Sequence, residues 1–178
     1  MNRTQLNLFI LNLCLLFLGY CANAKAGIRI AILDFELNDL TSLPNTQDEL
    51  TRTGSLKPLL EQAMSQKANY EVIHIGHDEQ QSANAGFGYL FRFHDEAAKL
   101  GKKFGADWII VGQHSKPSFL ESSLIADVIN VGTASRVVEL IVDLKGNHAK
   151  VTEHAVRNLS EKIDRAILRQ DKQPRMNP

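Results

Sequence analysis

The spacing of apolar residues predicts two strands and a helix in the first half of the chain. Residues 28–37 (IRIAILDFEL) and 70–75 (YEVIHI) are short runs of β-branched and apolar residues, typical of strands buried on at least one face. Between them, from about Ser55, the apolar positions fall on one helical face: Leu56, Leu59, Leu60, Ala63 and Met64. This places Pro58 in the first turn of the helix, where its missing amide donor costs little.

A second helix and a third strand are predicted in the segment that contains Gly101 and Gly105. Residues 95–104 (DEAAKLGKKF) predict a helix that ends at Gly105, and residues 107–113 (DWIIVGQ) predict the strand that follows. A phosphate-binding loop also carries glycines, but it lies between a strand and the start of a helix. Here Gly101 and Gly105 lie within or after a helix that leads into a strand. We therefore interpret them as structural glycines.

The period changes to two after Pro117, which predicts a long antiparallel hairpin across the turn at residues 130–135. The alternating positions are Leu120, Ser122, Leu124, Ala126 and Val128 on one strand, and Val138, Leu140, Val142 and Leu144 on the other. A last amphipathic helix carries Val156, Leu159, Ile163 and Ile167. The order β-α-β-α-β-β-β-α predicts an α/β fold with a single mixed sheet. We assign it to one domain, residues 25–169, followed by a flexible tail, residues 170–178.

The first 24 residues have the features of a cleaved secretory signal. An apolar run from Leu6 to Leu18 follows a short start with one arginine, and Ala22-Asn23-Ala24 supplies small residues for cleavage after Ala24. The run is too short to span a bilayer comfortably. We therefore expect a periplasmic protein without a membrane span after cleavage. The alternative is a lipoprotein modified at Cys21, although the large Tyr20 precedes that cysteine.

Composition excludes several classes of function. The 178-residue chain carries 20 basic and 20 acidic residues, so it lacks the basic excess of a nucleic-acid-binding protein. Cleavage after Ala24 also removes both cysteines, Cys14 and Cys21. Disulfide scaffolds, cysteine-ligated zinc and cysteine nucleophiles are then excluded.

The first half resembles the amino-terminal domain of TolB and related envelope proteins, such as the curli-export component CsgG and the synthase activator LpoB. The resemblance lies in "IAILDFEL", then "YEVI", then "AAKLGKKFGADWIIVGQ". It implies the same fold and an envelope location.

The second half resembles a family of small secreted bacterial proteins of unknown function, the DUF2380 type. "KPSFL" (116–120) and "VDLKGN" (142–147), followed by a closing helix, carry this resemblance. Lys145 stands where the family usually has arginine, and Phe119 where it has asparagine. Some members are associated with periplasmic quinoprotein alcohol oxidation, which implies an accessory role there. The family has no known activity to transfer.

The most family-like residues predict a partner-binding surface at one end of the sheet. They are Lys116, Ser118, Asp143, Lys145 and Asn147. Lys116 is expected to open the first hairpin strand and Lys145 to follow the second, so antiparallel pairing brings them together. A structural role is the alternative, with Asn147 capping the last helix.

A small-ligand site is the alternative interpretation. Asp34, His77 and His114 lie at or beyond the ends of the first three predicted strands, where ligands gather in sheets of this type. His74 and His77 also lie where a strand meets a polar loop containing Gly86 and Gly88, but their spacing matches no metal motif. We expect no metal and no cofactor.

No sequence motif of a hydrolase, a zinc protease or a dinucleotide-binding enzyme is present. We therefore expect a non-catalytic periplasmic accessory protein that binds another envelope or periplasmic protein. Quinoprotein alcohol oxidation and envelope assembly are the two pathways that the resemblances imply. A small-ligand or metal-binding protein of the periplasm is the second hypothesis.

Overall fold

The computed structural model describes residues 27–42, 44–146 and 149–172. The predicted signal, both cysteines, Asn147 and residues 173–178 lie outside these ranges. The elements are β1 (Ile28–Ile32), β2 (Glu36–Asp39), α1 (Gln47–Ser65), β3 (Tyr70–Ile73), α2 (His77–Ala83), α3 (Tyr89–Arg92), α4 (His94–Lys103), β4 (Trp108–Lys116), β5 (Ser123–Asn130), β6 (Ser135–Asp143) and α5 (Ala149–Lys172). Helix α5 thus continues to Lys172, three residues into the predicted tail.

All strands in the described ranges belong to one mixed sheet, which confirms the predicted fold class. The order is β3-β1-β4-β5-β6, with β3, β1 and β4 parallel and β4, β5 and β6 antiparallel. In the predicted hairpin, β5 pairs with β6 from Ser123 opposite Asp143 to Asn130 opposite Ser135. No helix in the described ranges has the length and apolar character needed to cross a bilayer.

The first predicted strand is divided into two. β1 ends at Ile32, and β2 then pairs in parallel with the second half of β4, from Glu36 opposite Gln113 to Asp39 opposite Lys116. Phe35, between them, packs against Gly112, where an added Cβ would lie 2.3 Å from the ring. β2 therefore occupies the space beside the carboxyl half of β4, where a ligand would bind in an open sheet.

Helices cover both faces of the sheet. α1 and α5 bury one face, with Leu56, Leu60, Leu159 and Ile163 all at 0% exposure. α4 packs on the other face through Ala97, Ala98 and Leu100. The alternation along each strand supplies these two cores separately.

α1 begins at Gln47 rather than near Ser55, so Pro58 lies in the helix interior and not in the first turn. Its ring nitrogen cannot donate to the carbonyl of Gly54, and both residues are exposed.

The predicted polar loop around Gly86 contains the short helices α2 and α3. The end of α4 is confirmed, because Gly105 has a φ of 76° after the last helical turn.

Candidate functional site

An exposed apolar loop projects from the end of the sheet where β4 leads into β5. We call residues 117–122 the tip. Phe119 and Leu120 are 61% and 96% exposed. The hydroxyl of Ser118 accepts a hydrogen bond from the backbone N–H of Leu120 at 3.3 Å. The tip therefore presents two adjacent apolar side chains to solvent from a short turn.

A groove of about 450 Å³ lies between the tip and the start of α1. We call it the tip groove. Its walls come from three parts of the chain: Glu49 and Arg52 of α1, the tip with His114 and Lys116 of β4, and Leu144 with Gly146 after β6. A smaller cavity of about 300 Å³, lined by Leu120, Asp143 and Lys145, lies beside the tip. Both cavities are therefore open to solvent, and their walls combine apolar and charged side chains.

Lys116 lies in the wall of the tip groove and is held by two carboxylates. Its ammonium forms ion pairs with Asp39, at 3.2 Å, and with Glu49. The Lys116 side chain is 15% exposed, that of Asp39 4% and that of Glu49 16%. Contacts from Thr41, first, and from Lys116 hold the pKa of Asp39 below its ordinary value. Lys116 therefore ties β4 to β2 and to the start of α1.

His114 lies at the base of the tip groove between two hydroxyl groups. Its Nδ1 is 2.7 Å from Thr53 Oγ1, and its Nε2 is 2.8 Å from Ser122 Oγ. Thr53 donates its own hydroxyl proton to the carbonyl of Glu49, so His114 donates from Nδ1 and accepts from Ser122 at Nε2. Burial, and then the charge of Arg52, lower the pKa of His114 to about 4.

This serine–histidine contact has the polarity of a nucleophile and its base, but it lacks the group that such a base needs. A carboxylate normally stands behind the histidine and stabilises the imidazolium that forms. Thr53 occupies that position here. A neutral hydroxyl gives no such stabilisation, and a pKa of about 4 shows that the imidazolium of His114 is disfavoured. The contact is therefore suited to holding the tip against α1.

Arg52 differs from the other polar groups of the groove. Its Nε donates to Thr152 Oγ1 at 2.9 Å, and its Nη2 donates to the Gly146 carbonyl at 3.0 Å. Both acceptors are neutral, and no acidic side chain in the described ranges forms an ion pair with Arg52. Burial lowers the pKa of the guanidinium. Among the described residues, Arg52 is thus a partly desolvated cation without an ion-pair partner.

A second polar group lies at the ends of β1 and β3, and we call it the strand-end cluster: Asp34, Lys57, His77 and Gln80. Asp34 Oδ2 is 2.9 Å from His77 Nδ1, and Asp34 Oδ1 is 3.5 Å from Lys57 Nζ. The buried Lys57 also donates to the Ile75 carbonyl at 2.5 Å. Gln80 accepts from the Asp34 N–H and donates to the Asp34 carbonyl. Each group in this cluster has a partner.

A third polar cluster, built around a buried carboxylate, lies at the start of α4. Asp127 of β5 is fully buried and contacts His94 Nε2 at 3.0 Å and Arg136 Nη1 at 3.1 Å. Burial raises the pKa of Asp127, and the charges of Arg136 and His94 oppose that rise. These contacts join the start of α4 to the hairpin.

The predicted partner-binding residues that the structure describes lie at one end of the sheet in different settings. Lys116 ends β4 instead of opening the hairpin, and it is enclosed by its two carboxylates. Asp143 and Lys145 are 3.8 Å apart and expose 67% and 88% of their side chains. Ser118 orders the tip, and Asn147 lies outside the described residues. Their use in binding stays a prediction.

The three residues of the predicted ligand site do not all come together. Asp34 and His77 are in contact, but no hydrogen bond or ion pair among the described residues joins His114 to either. His114 lies opposite Leu37 of β2, beyond the strand-end cluster. Within the described part of the chain, no group of three or more histidine, cysteine or acidic side chains is arranged to hold a metal ion.

These observations define a mixed α/β domain with an exposed apolar tip beside an open groove. Residues 28–163 match the model of the family DUF3280, described as a protein of unknown function (DUF2380). The chain belongs to this family, which confirms the resemblance found in its second half. The comparison with curated protein sequences finds no match.

Solved structures with a similar fold include three bacterial proteins. E. coli LpoB is 14% identical, with 66% of this chain and 56% of LpoB covered at a TM-score of 0.47. TolB from Acinetobacter baumannii is 12% identical, with 82% and 28% covered and a TM-score of 0.48. Lipoprotein GNA1162 from Neisseria meningitidis is 12% identical, with 84% and 99% covered and a TM-score of 0.47. This chain thus spans little more than half of LpoB, and these low similarities carry no functional argument.

Proposed function

We propose that this protein is a non-catalytic accessory protein of the bacterial periplasm that binds another envelope protein through the tip. The observation that carries the proposal is the exposure of Phe119 and Leu120, 61% and 96%, on adjacent positions beside the tip groove. Single exposed apolar residues are ordinary, whereas adjacent ones on a projecting turn next to a cavity are typical of binding sites.

The energetics favour a protein partner for the tip. Fully burying a leucine or phenylalanine side chain is worth roughly 1.5–3 kcal/mol each. In the isolated chain Leu120 gains almost none of this energy, and Phe119 gains only part of it. The tip begins beside Lys116, fixed by Asp39 and Glu49, and ends at Ser122, bonded to His114. A turn fixed at both ends loses less conformational freedom on binding, so more of the burial energy becomes affinity.

The charged rim supplies specificity in this proposal. Asp143 and Lys145 lie beside Leu120 around the smaller cavity. Exposed charges at an interface rim contribute little affinity but orient the partner and exclude wrong ones. Lys116 and Ser118 act indirectly by fixing the tip. Asn147, which lies outside the described residues, stays a predicted binding residue.

The compartment and pathway are part of the proposal. Residues 1–24 carry the features of a secretory signal cut after Ala24, with lipid attachment at Cys21 as the alternative. The family resemblance points to periplasmic quinoprotein alcohol oxidation or to envelope assembly, and the identity of the partner decides between them. The non-catalytic role is supported by the neutral group behind His114.

The test is site-specific photocrosslinking in intact cells. Benzoylphenylalanine replaces Leu120 in one strain and Lys99, an exposed residue of α4, in the control strain. We expect one abundant crosslinked envelope protein from position 120 and none from position 99. Crosslinks of equal yield at both positions, or only to the protein itself, contradict the proposal.

A further inference from the structure

Arg52 is a cation that the fold partly removes from water, and none of the described residues forms an ion pair with it. Two of its five N–H groups donate, to Thr152 Oγ1 and to the Gly146 carbonyl. Desolvating a charge is costly unless an opposite charge compensates it. Lys116, the other cation of the tip groove, shows the contrast, because two carboxylates hold it.

Arg52 lines two cavities, and of these the tip groove is the better site for an acidic group of a partner. Arg52 lines both this groove and a second cavity, of about 540 Å³, between α1 and α5. The second cavity also holds Asp48 and Glu153, which disfavour an incoming anion. In the tip groove, Glu49 is paired with Lys116, which it shares with Asp39, and the other acid of the lining, Glu121, is exposed to solvent.

We propose that Arg52 binds a carboxylate of the partner protein, carried beside an apolar side chain that packs on Phe119 and Leu120. This inference rests on the proposed function and names the chemistry that the tip groove recognises. The guanidinium supplies charge-assisted hydrogen bonds to the carboxylate. The apolar tip supplies the adjoining contact. An aspartate, a glutamate or a chain terminus next to a leucine-like residue fits both.

His114, which lines the same groove, is sensitive to the charge of Arg52. The positive charge of Arg52 is the second cause, after burial, that lowers the pKa of His114. A carboxylate bound at Arg52 cancels part of this effect. The imidazole signals of His114 should therefore respond to binding, although His114 does not itself contact the anion in this proposal.

The experiment is a titration of the protein purified from the periplasmic fraction, followed by ¹⁵N NMR. The probe is N-acetyl-L-leucine, which carries a carboxylate beside an isobutyl side chain, and its control is the uncharged N-acetyl-L-leucinamide. A probe of this size binds with a Kd of roughly a few millimolar. We expect shifts at Phe119, Leu120 and the His114 ring with the acid only.

Two variants assign the effect to Arg52. Arg52→Gln should weaken binding of the acid about tenfold, the loss expected for a charge-assisted hydrogen-bonded pair. Arg157→Gln is the matched control, because Arg157 is exposed on α5. It lines neither the tip groove nor the second cavity between α1 and α5. Arg52→Lys, which keeps the charge, should retain part of the affinity. Thermal melting confirms that each variant is folded.

The outcomes separate this inference from the proposed function. Equal binding of acid and amide, equal binding by Arg52→Gln, or no binding of the acid overturns carboxylate recognition. If position 120 still crosslinks one envelope protein, the accessory role stands and only the chemistry of the contact is wrong. If the acid binds but position 120 gives no crosslink, the carboxylate site stands and the protein-partner role fails.

Discussion

Helix α1 contributes residues to both the strand-end cluster and the tip groove, but the polar groups of the two regions differ in how they are paired. In the strand-end cluster, the buried Lys57 has Asp34 and the Ile75 carbonyl, and Gln80 satisfies the Asp34 backbone. In the tip groove, the hydrogen-bond partners that Arg52 has among the described residues are neutral, and Leu120 is 96% exposed. Satisfied polar groups hold a fold together, whereas an uncompensated charge beside exposed apolar side chains favours binding.

Lys116, in the wall of the tip groove, should stabilise the fold as the strand-end cluster does. Its substitution is expected to cause the largest loss of stability. Lys116→Met leaves Asp39 and Glu49, 4% and 16% exposed, without their cation. We expect the free energy of unfolding to fall by about 3–5 kcal/mol, as for a broken buried ion pair. Urea denaturation measures this. A loss below about 1 kcal/mol would show that Lys116 is a surface residue, available to a partner.

Acid should destabilise the same wall through His114. Its pKa of about 4 in the folded protein lies below the ordinary 6.5, so folding favours the neutral ring. The stability from His114 is therefore complete above pH 6.5 and is lost as the pH falls to about 4, by roughly 3 kcal/mol at most. The measurement is urea denaturation across this window.

His114→Gln is the matched variant for the pH experiment, because it keeps hydrogen-bonding capacity without an ionisable ring. Its stability should depend less steeply on pH between 6.5 and 4 than that of the native protein. Parallel curves for the two proteins would show that His114 does not titrate in this way.

The strand-end cluster is tested by Lys57→Met. The substitution keeps the apolar stem but removes the donor to the Ile75 carbonyl, while the half-exposed Asp34 remains hydrated. We expect a loss of about 2 kcal/mol in unfolding free energy, the cost of an orphaned buried polar group. Arg52→Gln should cost less than half of that. If the two losses were equal, the contrast between the regions would not hold.

Much of this architecture follows from the sequence, and each departure has a physical cause. The period-two alternation and Gly105 predict the hairpin and the end of α4, because both reflect local sterics and burial. The start of α1 is missed, although Thr46 and Glu49 form the capping box that signals it. The break between β1 and β2 depends on Phe35 meeting Gly112, 77 residues away, which no local pattern contains.

The candidate site is less accessible to sequence reasoning. Arg52, Lys57 and Gln80 are polar residues on helices, and their importance comes from burial against distant chain segments. Lys116 lies in the wall of the tip groove, and its pairing with Asp39 depends on the register of β2 against β4. Phe119 and Leu120 could have been noticed as adjacent apolar residues in a segment rich in turn-forming residues.

The smallest expected change in stability is at the rim. Lys145→Glu alters an 88% exposed side chain and places a second acid beside Asp143, so we expect a change of no more than about 0.5 kcal/mol. Crosslinking yield from position 120 should nevertheless fall, because rim charges guide association. Lys102→Glu, on the exposed side of α4, is the control and should leave the yield unchanged. An unchanged yield in Lys145→Glu would remove the rim from the binding surface.

The most direct test of the account is the double variant Phe119→Ser/Leu120→Ser, assayed for unfolding free energy and for photocrosslinking from position 121. We predict a stability change within about 0.5 kcal/mol, because exposed apolar side chains add little to the core, together with loss of the crosslinked envelope protein. A stability loss above about 1.5 kcal/mol with the crosslink retained would contradict the account, since the tip would then serve the fold and not a partner.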